Sequence, residues 1–321
     1  MKKLILTLLF VIITLIAIII AGNNSYSNWE IKNNNKTEIS WVQFEWTNEI
    51  ISGKYFEKTS INVPCKIKGY KTIFTFQLDI GAEYTGIYEN TFRSLDTLNQ
   101  ISENKLKKLK SPLQFWNTDK FINNFDLQFG KYSALNKIGF VYENHGEKLI
   151  KVNKNDTIHL GTIGRDMFKN KVLIIDYPNE RFTISDKIPE EYNRNLTDIE
   201  IDPTGRIILP MKIRNQNYKI TFDTGSSIFP IITEAKNISK FSSLPYIDTI
   251  TISSWGKKHD VTGKLITDTF KIAGQKYCNV KVYANHSGLG IDDLTEGMTG
   301  NVLFWDKTIL IDFKNKKMGI Y

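Results

Sequence analysis

The chain has 321 residues, of which 41% are hydrophobic and 12% aromatic, and its formal net charge is +8. This composition excludes wholesale disorder, and the length suggests about two domains. The lysines are spread widely and no nucleic-acid recognition motif accompanies them, so we interpret the charge as a solvated surface and expect no nucleic-acid partner.

The chain begins with Met-Lys-Lys, followed by an apolar run over residues 4–21 that only two threonines interrupt. A positive start before such a run indicates either a cleaved secretory signal or an uncleaved membrane anchor. A signal peptidase favours a pair of small residues before its cut, and the end of the run lacks that pair. We therefore favour an anchor over residues 1–22, with the membrane as a partner. The body of the chain is then exported, and it is periplasmic or extracellular if the segment is cleaved.

Three blocks of sequence recur in the same order in the two halves of the chain, which is the signature of one module used twice. The paired blocks begin at Val63 and Leu209, at Phe125 and Asp268, and at Thr162 and Met298. We assign residues 23–195 to the first module and residues 196–321 to the second. A polar, aperiodic linker lies over residues 185–198.

Each module is predicted to consist of β-strands, because runs rich in Ile, Val, Phe, Tyr and Thr alternate with Gly, Asn, Asp and Pro. Residues 176–184 and 312–320 are typical of hairpins with asparagine at the turn. Two added strands are expected over residues 40–61. One short helix is expected within residues 89–110 and another within residues 233–241, so the predicted fold class is all-β.

Cysteine and histidine are scarce. Cys65 and Cys278 lie far apart in strand-like apolar contexts, and although export permits a disulfide, we expect two buried free thiols. His145 and His286 recur in matching positions, but no carboxylate or cysteine ligand pattern surrounds them. We expect no metal and no other cofactor.

Each module places an aspartate at the end of an apolar strand, directly before a tight break. The breaks are Asp79-Ile80-Gly81-Ala82 and Asp223-Thr224-Gly225-Ser226. Further along each module, two uncharged residues precede a glycine, Gly164 in the first half and Gly300 in the second. An aspartate before glycine is common by chance, but two of them in a matched repeat, each with a downstream glycine, form a specific pattern.

This pattern resembles the pepsin-like and retropepsin-like aspartic proteases, over about residues 63–321. The resemblance implies two homologous β-barrel lobes with a cleft between them, after the N-terminal hydrophobic segment. It implies that Asp79 and Asp223 are the catalytic pair, which activates a water for peptide-bond hydrolysis. It also implies that seven residues support the pair, namely Gly81, Ala82, Thr224, Gly225, Ser226, Gly164 and Gly300.

The residue types suit hydrolysis without a metal. Two carboxyl groups held close together share one proton, because like charges at that distance cannot both ionise. The family has Thr or Ser where this chain has Ile80, so half of a reciprocal hydroxyl brace is missing. Ala82 likewise lacks the hydroxyl that Ser226 can offer its own aspartate. One lost hydrogen bond is worth about 0.5–1.5 kcal/mol, which loosens a site without abolishing it.

The sequence therefore predicts an aspartic-type endopeptidase that acts outside the cytoplasm on an extended peptide or protein. We expect a monomer whose lobes form an intramolecular pseudo-dimer. The alternative, favoured by Ile80, is a catalytically degenerate peptide- or glycan-binding protein on the same scaffold. A substrate-covering aromatic residue is expected at Trp255, although a surface hairpin with a packed tryptophan fits that segment equally well. In the first lobe, Phe115 or Trp116 is the candidate.

Overall fold

A computed structural model of the chain describes most residues between 29 and 321. The described residues are 11, 12, 14, 29–34, 39–70, 72–98, 106–108, 120–153, 156–288 and 294–321. The predicted signal or anchor over residues 1–22 lies almost entirely outside them. No helix among the described residues is long and apolar enough to cross a membrane.

The described residues are mostly β-structure, which confirms the predicted class. The strands of the first half are β1 (Glu30–Asn33), β2 (Val42–Gln43), β3 (Glu45–Ile51), β4 (Lys54–Ile67), β5 (Ile73–Leu78), β6 (Gly86–Tyr88), β7 (Lys107–Lys108), β8 (Lys120–Phe129), β9 (Tyr132–Tyr142), β10 (Ile158–Ile163), β11 (Val172–Asp176) and β12 (Arg181–Ser185). Those of the second half are β13 (Thr197–Asp198), β14 (Glu200–Ile201), β15 (Ile207–Ile213), β16 (Gln216–Phe222), β17 (Ile231–Glu234), β18 (Asp248–Ser254), β19 (Lys257–Ile266), β20 (Phe270–Ile272), β21 (Gln275–Tyr277), β22 (Val280–Asn285), β23 (Gly297–Thr299), β24 (Thr308–Asp312) and β25 (Lys317–Ile320).

Helices are short. Helix α1 (Glu89–Thr97) and helix α2 (Ile238–Phe241) lie within the two segments predicted to hold one helix each. Short 3-10 helices occupy Arg165–Phe168, Glu190–Tyr192, Ala235–Asn237 and Asn301–Phe304.

Each half is built on one large sheet. In the first, the strand order is β1-β9-β6-β10-β5-β4-β8-β7, with β3 paired to β4 and β8 also paired to β9. In the second, it is β18-β19-β22-β17-β23-β16-β15-β20-β21, with β14 paired to β15. Strand β5 runs parallel to β10, and β16 runs parallel to β23. The described strands of the second sheet form an open path from β18 to β21, so the predicted barrel is not closed there.

A third sheet joins the halves. Its order is β13-β25-β24-β11-β12-β2, and β11 pairs antiparallel with β24 along its whole length. Both central strands are almost entirely buried, and side chains of both halves belong to one hydrophobic core. Burial of this much apolar surface ties the two modules firmly together. The predicted boundary between residues 195 and 196 stays a prediction.

The two hairpins predicted around an asparagine are formed by β11–β12 and β24–β25. The left-handed residue is not the asparagine, however, but Glu180, with φ of 50°. Asn179 instead donates its side-chain amide to Asp176, at 2.9 Å. The second hairpin repeats this arrangement with Lys316, Asn315 and Asp312.

The two thiols differ in exposure. Cys65 lies in β4 and is buried, and this burial raises the pKa of its thiol well above the usual value. Cys278 is exposed, so the expectation of two buried thiols is wrong for this residue. The chain turns there, with Asn279 at φ of 55° between β21 and β22, which leaves Cys278 outside the core.

Candidate active site

Both aspartate breaks lie where a strand of a parallel pair ends. Strand β5 ends directly before Asp79, and β16 ends directly before Asp223. The N–H of Asp79 donates to the oxygen of Ile163 at 3.0 Å, and the N–H of Asp223 donates to the oxygen of Thr299 at 3.0 Å. Each loop is thus held in the same way by the strand beside it.

The two carboxyl groups meet at the floor of a cleft and hydrogen-bond each other. Asp79 is 8% exposed, and Asp223 is partly buried. Oδ1 of Asp223 accepts the N–H of Gly225 at 2.7 Å and that of Gly81 at 3.0 Å. Oδ1 of Asp79 accepts the N–H of Ala82 at 3.0 Å. The structure therefore brings together the pair that the sequence singled out.

The surroundings of the two carboxyl groups separate their protonation states. Burial raises the pKa of Asp79 well above its usual range, and the charge and hydrogen bond of Asp223 raise it further. Burial also raises the pKa of Asp223, but the N–H of Gly225, the hydrogen bond from Asp79 and the N–H of Gly81 oppose it. These effects favour a state in which the pair shares one proton, with the proton on Asp79 and the negative charge on Asp223.

The loop glycines are required by close approach. A Cβ on Gly81 would lie 2.3 Å from Cγ of Asp223, and a Cβ on Gly225 would lie 2.7 Å from Cγ of Asp79. Neither glycine has a positive φ, so backbone freedom is not the reason for either. Each glycine makes room for the opposite carboxyl group.

Thr224 braces the opposite loop. Its Oγ1 accepts the N–H of Ile80 at 2.9 Å and donates to the oxygen of Leu78 at 2.8 Å. Ile80 is 1% exposed and packs in the main core, so its side chain returns no hydrogen bond. The brace runs in one direction only.

Ser226 acts differently from the expectation. Within the described part of the chain its hydroxyl makes no hydrogen bond with Asp223, and the N–H groups of Gly225 and Gly81 bond to Oδ1 instead. Ser226 and Ala82 contribute their backbones instead. Each donates its N–H to the carbonyl oxygen of its own aspartate, at 3.2 and 3.1 Å.

Two supporting residues stand directly after the downstream glycines and were not identified from the sequence. Arg165 is buried, and it donates to the oxygen of Gly81 through Nη1 and to the oxygen of Thr204 through Nε. Asn301 is fully buried, and its Nδ2 donates to the oxygen of Thr224 at 2.7 Å. The third pair of repeated blocks aligns these two residues, and a hydrogen-bonding side chain after each glycine was the available signal.

Asp166 is a buried carboxyl group behind the first loop. Its Oδ1 accepts both the N–H and the hydroxyl of Thr85 at 2.7 Å, and its Oδ2 accepts the indole N–H of Trp29 at 2.8 Å. Burial outweighs these donors and raises the pKa of Asp166 to about 7. The hydroxyl of Thr85 also accepts the N–H of Gly164 at 2.9 Å, so Asp166 helps to fix the segment behind the loop.

The cleft over the aspartates has a volume of about 430 Å³. One wall is apolar and belongs to the second half: Ile228, Phe229, Ile232, Ile252 and Met298. The β3–β4 hairpin of the first half reaches across to β18. There the hydroxyl of Ser52 accepts the N–H of Thr251 at 2.8 Å and donates to its oxygen at 3.2 Å. The sequence indicated these two strands but not that they cross the cleft.

Trp255 lies at the turn of the β18–β19 hairpin, at φ of 49°. It lines the cleft, and its ring packs on that of Tyr142 from the first half, with 5.0 Å between ring centroids. The ring of His145 lies 5.3 Å away on the same side. The tryptophan is thus both a packed residue and a part of the cleft wall. Phe115 and Trp116 lie outside the described residues.

No cluster of three or more His, Cys, Asp or Glu side chains suited to a metal ion occurs in the part of the chain that the structure describes. The chemistry that the cleft floor offers is that of two coupled carboxyl groups, one protonated and one ionised, each oriented by backbone N–H groups. Such a pair can take a proton from one group and give a proton to another in the same step.

No protein-family model and no curated protein sequence matches the chain. Among solved structures, the chain is similar to the crystal structure of the aspartic proteinase from Irpex lacteus, with 10% sequence identity and a TM-score of 0.46. The similar region covers 88% of this chain and 97% of that one. Similarity at this level says nothing about activity.

Proposed function

We propose that the chain is an aspartic-type endopeptidase that acts outside the cytoplasm. The observation that carries the proposal is the hydrogen-bonded pair of Asp79 and Asp223 at the floor of an open cleft, with backbone N–H groups as its nearest donors. The export of the site rests on the apolar run over residues 4–21.

The proposed reaction uses both protonation states of the pair. Asp223, as the carboxylate, takes a proton from a water while the water oxygen bonds to the carbonyl carbon of the substrate. Asp79 gives its proton to the carbonyl oxygen, so that a gem-diol forms. When the C–N bond breaks, the proton on Asp223 passes to the leaving nitrogen and one hydroxyl proton returns to Asp79. The pair ends in its starting state, and no metal or covalent intermediate is needed.

The substrate that suits the cleft is an extended peptide with an apolar side chain near the scissile bond. Strand β18 is an edge strand and lines the cleft, so its free edge can pair with a peptide backbone. The apolar wall of Ile228, Phe229 and Met298 can receive the side chain. The Ser52 contact with Thr251 has to open for a strand to add at that position.

The test is the substitution Asp223→Asn, which keeps the size of the side chain and removes its charge. With a single carboxyl group left, the site cannot both take the proton from water and protonate the carbonyl oxygen, so cleavage of a fluorogenic peptide should fall by at least about 10²-fold. Asp79→Asn is the matched variant and should be equally inactive. Both variants should bind a non-cleavable statine-type analogue, because backbone and pocket contacts do not require the second charge.

Two results would count against the proposal. Cleavage by Asp223→Asn at the rate of the parent would show that the pair is not the catalytic site. Binding of the analogue by all three proteins, without cleavage by the parent between roughly pH 3 and 7, would favour the second candidate function. That candidate is a degenerate, peptide- or glycan-binding cleft, and the one-sided brace at Ile80 is the observation that favours it.

A further inference from the structure

Arg165 is connected to Asp79 through a single peptide group. The Nη1 of Arg165 donates to the carbonyl oxygen of Gly81, and the N–H of that same peptide group belongs to Ala82. The N–H of Ala82 donates to Oδ1 of Asp79 at 3.0 Å. A donor on the oxygen of a peptide polarises the group and strengthens its N–H as a donor, so the three groups form one cooperative chain.

Asn301 makes the same connection to Asp223. Its Nδ2 donates to the oxygen of Thr224 at 2.7 Å, and the N–H of that peptide group belongs to Gly225. The N–H of Gly225 donates to Oδ1 of Asp223 at 2.7 Å. Arg165 and Asn301 both directly follow a downstream glycine, and each reaches an aspartate through one peptide group, although the peptide used in the second half lies one residue earlier in the loop.

The two chains differ in charge and in their supports. The amide of Asn301 is neutral and is oriented by Tyr177 of the first half, whose hydroxyl donates to its Oδ1 at 2.7 Å. The residue that matches Tyr177 in the repeat is Phe313, which lines the same small cavity as Arg165 and has no hydroxyl. A guanidinium carries no acceptor, so Arg165 needs no such partner. Its Nε instead donates to Thr204 of the second half at 2.8 Å.

We propose that Arg165 and Asn301 are paired positioning residues, each holding one aspartate through one peptide group, and that the charge of Arg165 also favours the anionic form of the pair. This inference rests on the proposed function for its rate measurements. Arg165 stays charged in the working pH range because guanidinium is a very weak acid. Asn301 supplies the hydrogen bond alone.

Several charged and titratable groups surround Arg165 and the aspartate pair. Arg165 interacts with Glu83, Asp202, Asp223 and Arg206. Tyr88 and Tyr142 face Asp79, and the pKa of each is raised mainly by burial, so both stay neutral below about pH 10. Asp166 adjoins Arg165 in sequence, and its hydrogen bonds to Thr85 and Trp29 do not involve the side chain of Arg165.

The experiment measures the pH dependence of peptide cleavage for the full chain and three variants. Arg165→Gln removes the positive charge, so both limbs of the profile should move to higher pH by about one unit. Turnover at the optimum should also fall. Arg165→Lys keeps the charge, so both limbs of its pH profile should lie at the same pH as those of the parent, although its turnover should fall. Asn301→Ala should lower turnover roughly tenfold and move both limbs much less than Arg165→Gln does, because it removes a hydrogen bond but no charge.

A second measurement separates this inference from the proposed function. The carboxyl carbons of ¹³C-labelled aspartate are titrated by NMR, and the signals of the pair are identified by their loss in Asp79→Asn and Asp223→Asn. A rise of the pair's apparent pKa in Arg165→Gln that clearly exceeds the rise in Asn301→Ala supports the inference even if no protein cleaves peptide.

Three outcomes would overturn the inference. In the first, the parent cleaves peptide and Arg165→Gln lowers turnover, but both limbs of the pH profile and the aspartate titration stay unchanged. The proposed function then stands. Another is a shift of the limbs in Asn301→Ala as large as that in Arg165→Gln. The third applies if Arg165→Gln does not fold, and it is read from Arg165→Lys, which keeps the positive charge. A limb of the pH profile that shifts in this variant contradicts the role of the charge.

Discussion

The two aspartate loops have nearly the same backbone but are supported by different chemistry. In both, the aspartate N–H bonds to a parallel strand, and a later N–H of the loop bonds to the carboxyl group. The second loop is supported by the neutral amide of Asn301, and its Thr224 offers a hydroxyl to the first loop. The first is supported from behind by Arg165 and by the carboxyl group of Asp166.

This difference shows which part of the module the site requires. The peptide hydrogen bonds that aim the carboxyl groups are present in both halves, whereas the side chains that secure them have changed. Ile80 brings no hydroxyl, but it fills a core position, and Arg165 reaches the same loop from the other side. The hydroxyl missing at Ile80 removes a brace from the second loop, which the amide of Asn301 still supports.

The largest expected effect concerns the titratable support that only the first half has. The pKa of Asp166 is about 7 in the folded chain against an ordinary value of 3.8. Its contribution to stability is therefore fully present below about pH 4, is lost as the pH rises to about 7, and then stays constant. The loss amounts to roughly 4 kcal/mol.

Urea unfolding across this pH range checks that expectation. In Asp166→Asn, the decline of the unfolding free energy between about pH 4 and 7 should become much shallower. The position that matches Asp166 in the second half is Val302, which cannot titrate. An unchanged slope in the variant would show that Asp166 ionises normally in the folded chain.

The next effect tests the neutral brace of the second half. Thr224→Val keeps the shape of the side chain but leaves the N–H of Ile80 and the oxygen of Leu78 unpaired in a buried region. The free energy of unfolding should fall by about 3 kcal/mol, and turnover should fall with it because the loops lose their alignment. Thr233→Val is the control, since Thr233 is also fully buried but its hydroxyl donates to the oxygen of Glu296, which belongs to neither aspartate loop. A loss no greater than that of the control would rule out a special role for the brace.

The smallest effect restores symmetry. In Ile80→Thr, the new hydroxyl can accept the N–H of Thr224 and donate to the oxygen of Phe222, in the mirror image of the existing brace. Thr and Val have nearly the same shape, so Ile80→Val measures the cost of the lost methylene, about 1 kcal/mol. If the second brace forms, the Thr variant should be more stable than the Val variant by about 1 kcal/mol and should turn over faster than the parent. A Thr variant less stable than the Val variant would mean that the hydroxyl is buried without partners and that isoleucine suits the site.

Several features of the fold and the site were predictable from the sequence because they are local. Alternating apolar residues indicated the strands, and the repeated aspartate before a tight break singled out two candidate site residues. The hairpin around Trp255 was also predictable, because a polar turn with glycine joins two strand-like runs. The role of asparagine in the two other hairpins was not predictable. Asparagine suits a left-handed turn position, and it equally suits a side-chain hydrogen bond such as the one to Asp176, so the residue type alone does not tell the two roles apart.

What only the tertiary structure decided are the contacts between residues far apart in the chain. The sequence singled out Asp79 and Asp223, but it did not show that the two carboxyl groups face each other. It also did not show that Thr224 bonds to Ile80 or Arg165 to Gly81. These contacts depend on how the two halves dock along β11 and β24. The same docking brings Ser52 to the edge of β18. Periodicity and turn chemistry act over a few residues, whereas these pairings form only when apolar surface from both halves is buried in one core. A linear pattern records which residues can bond, and the packing of the halves selects the partners.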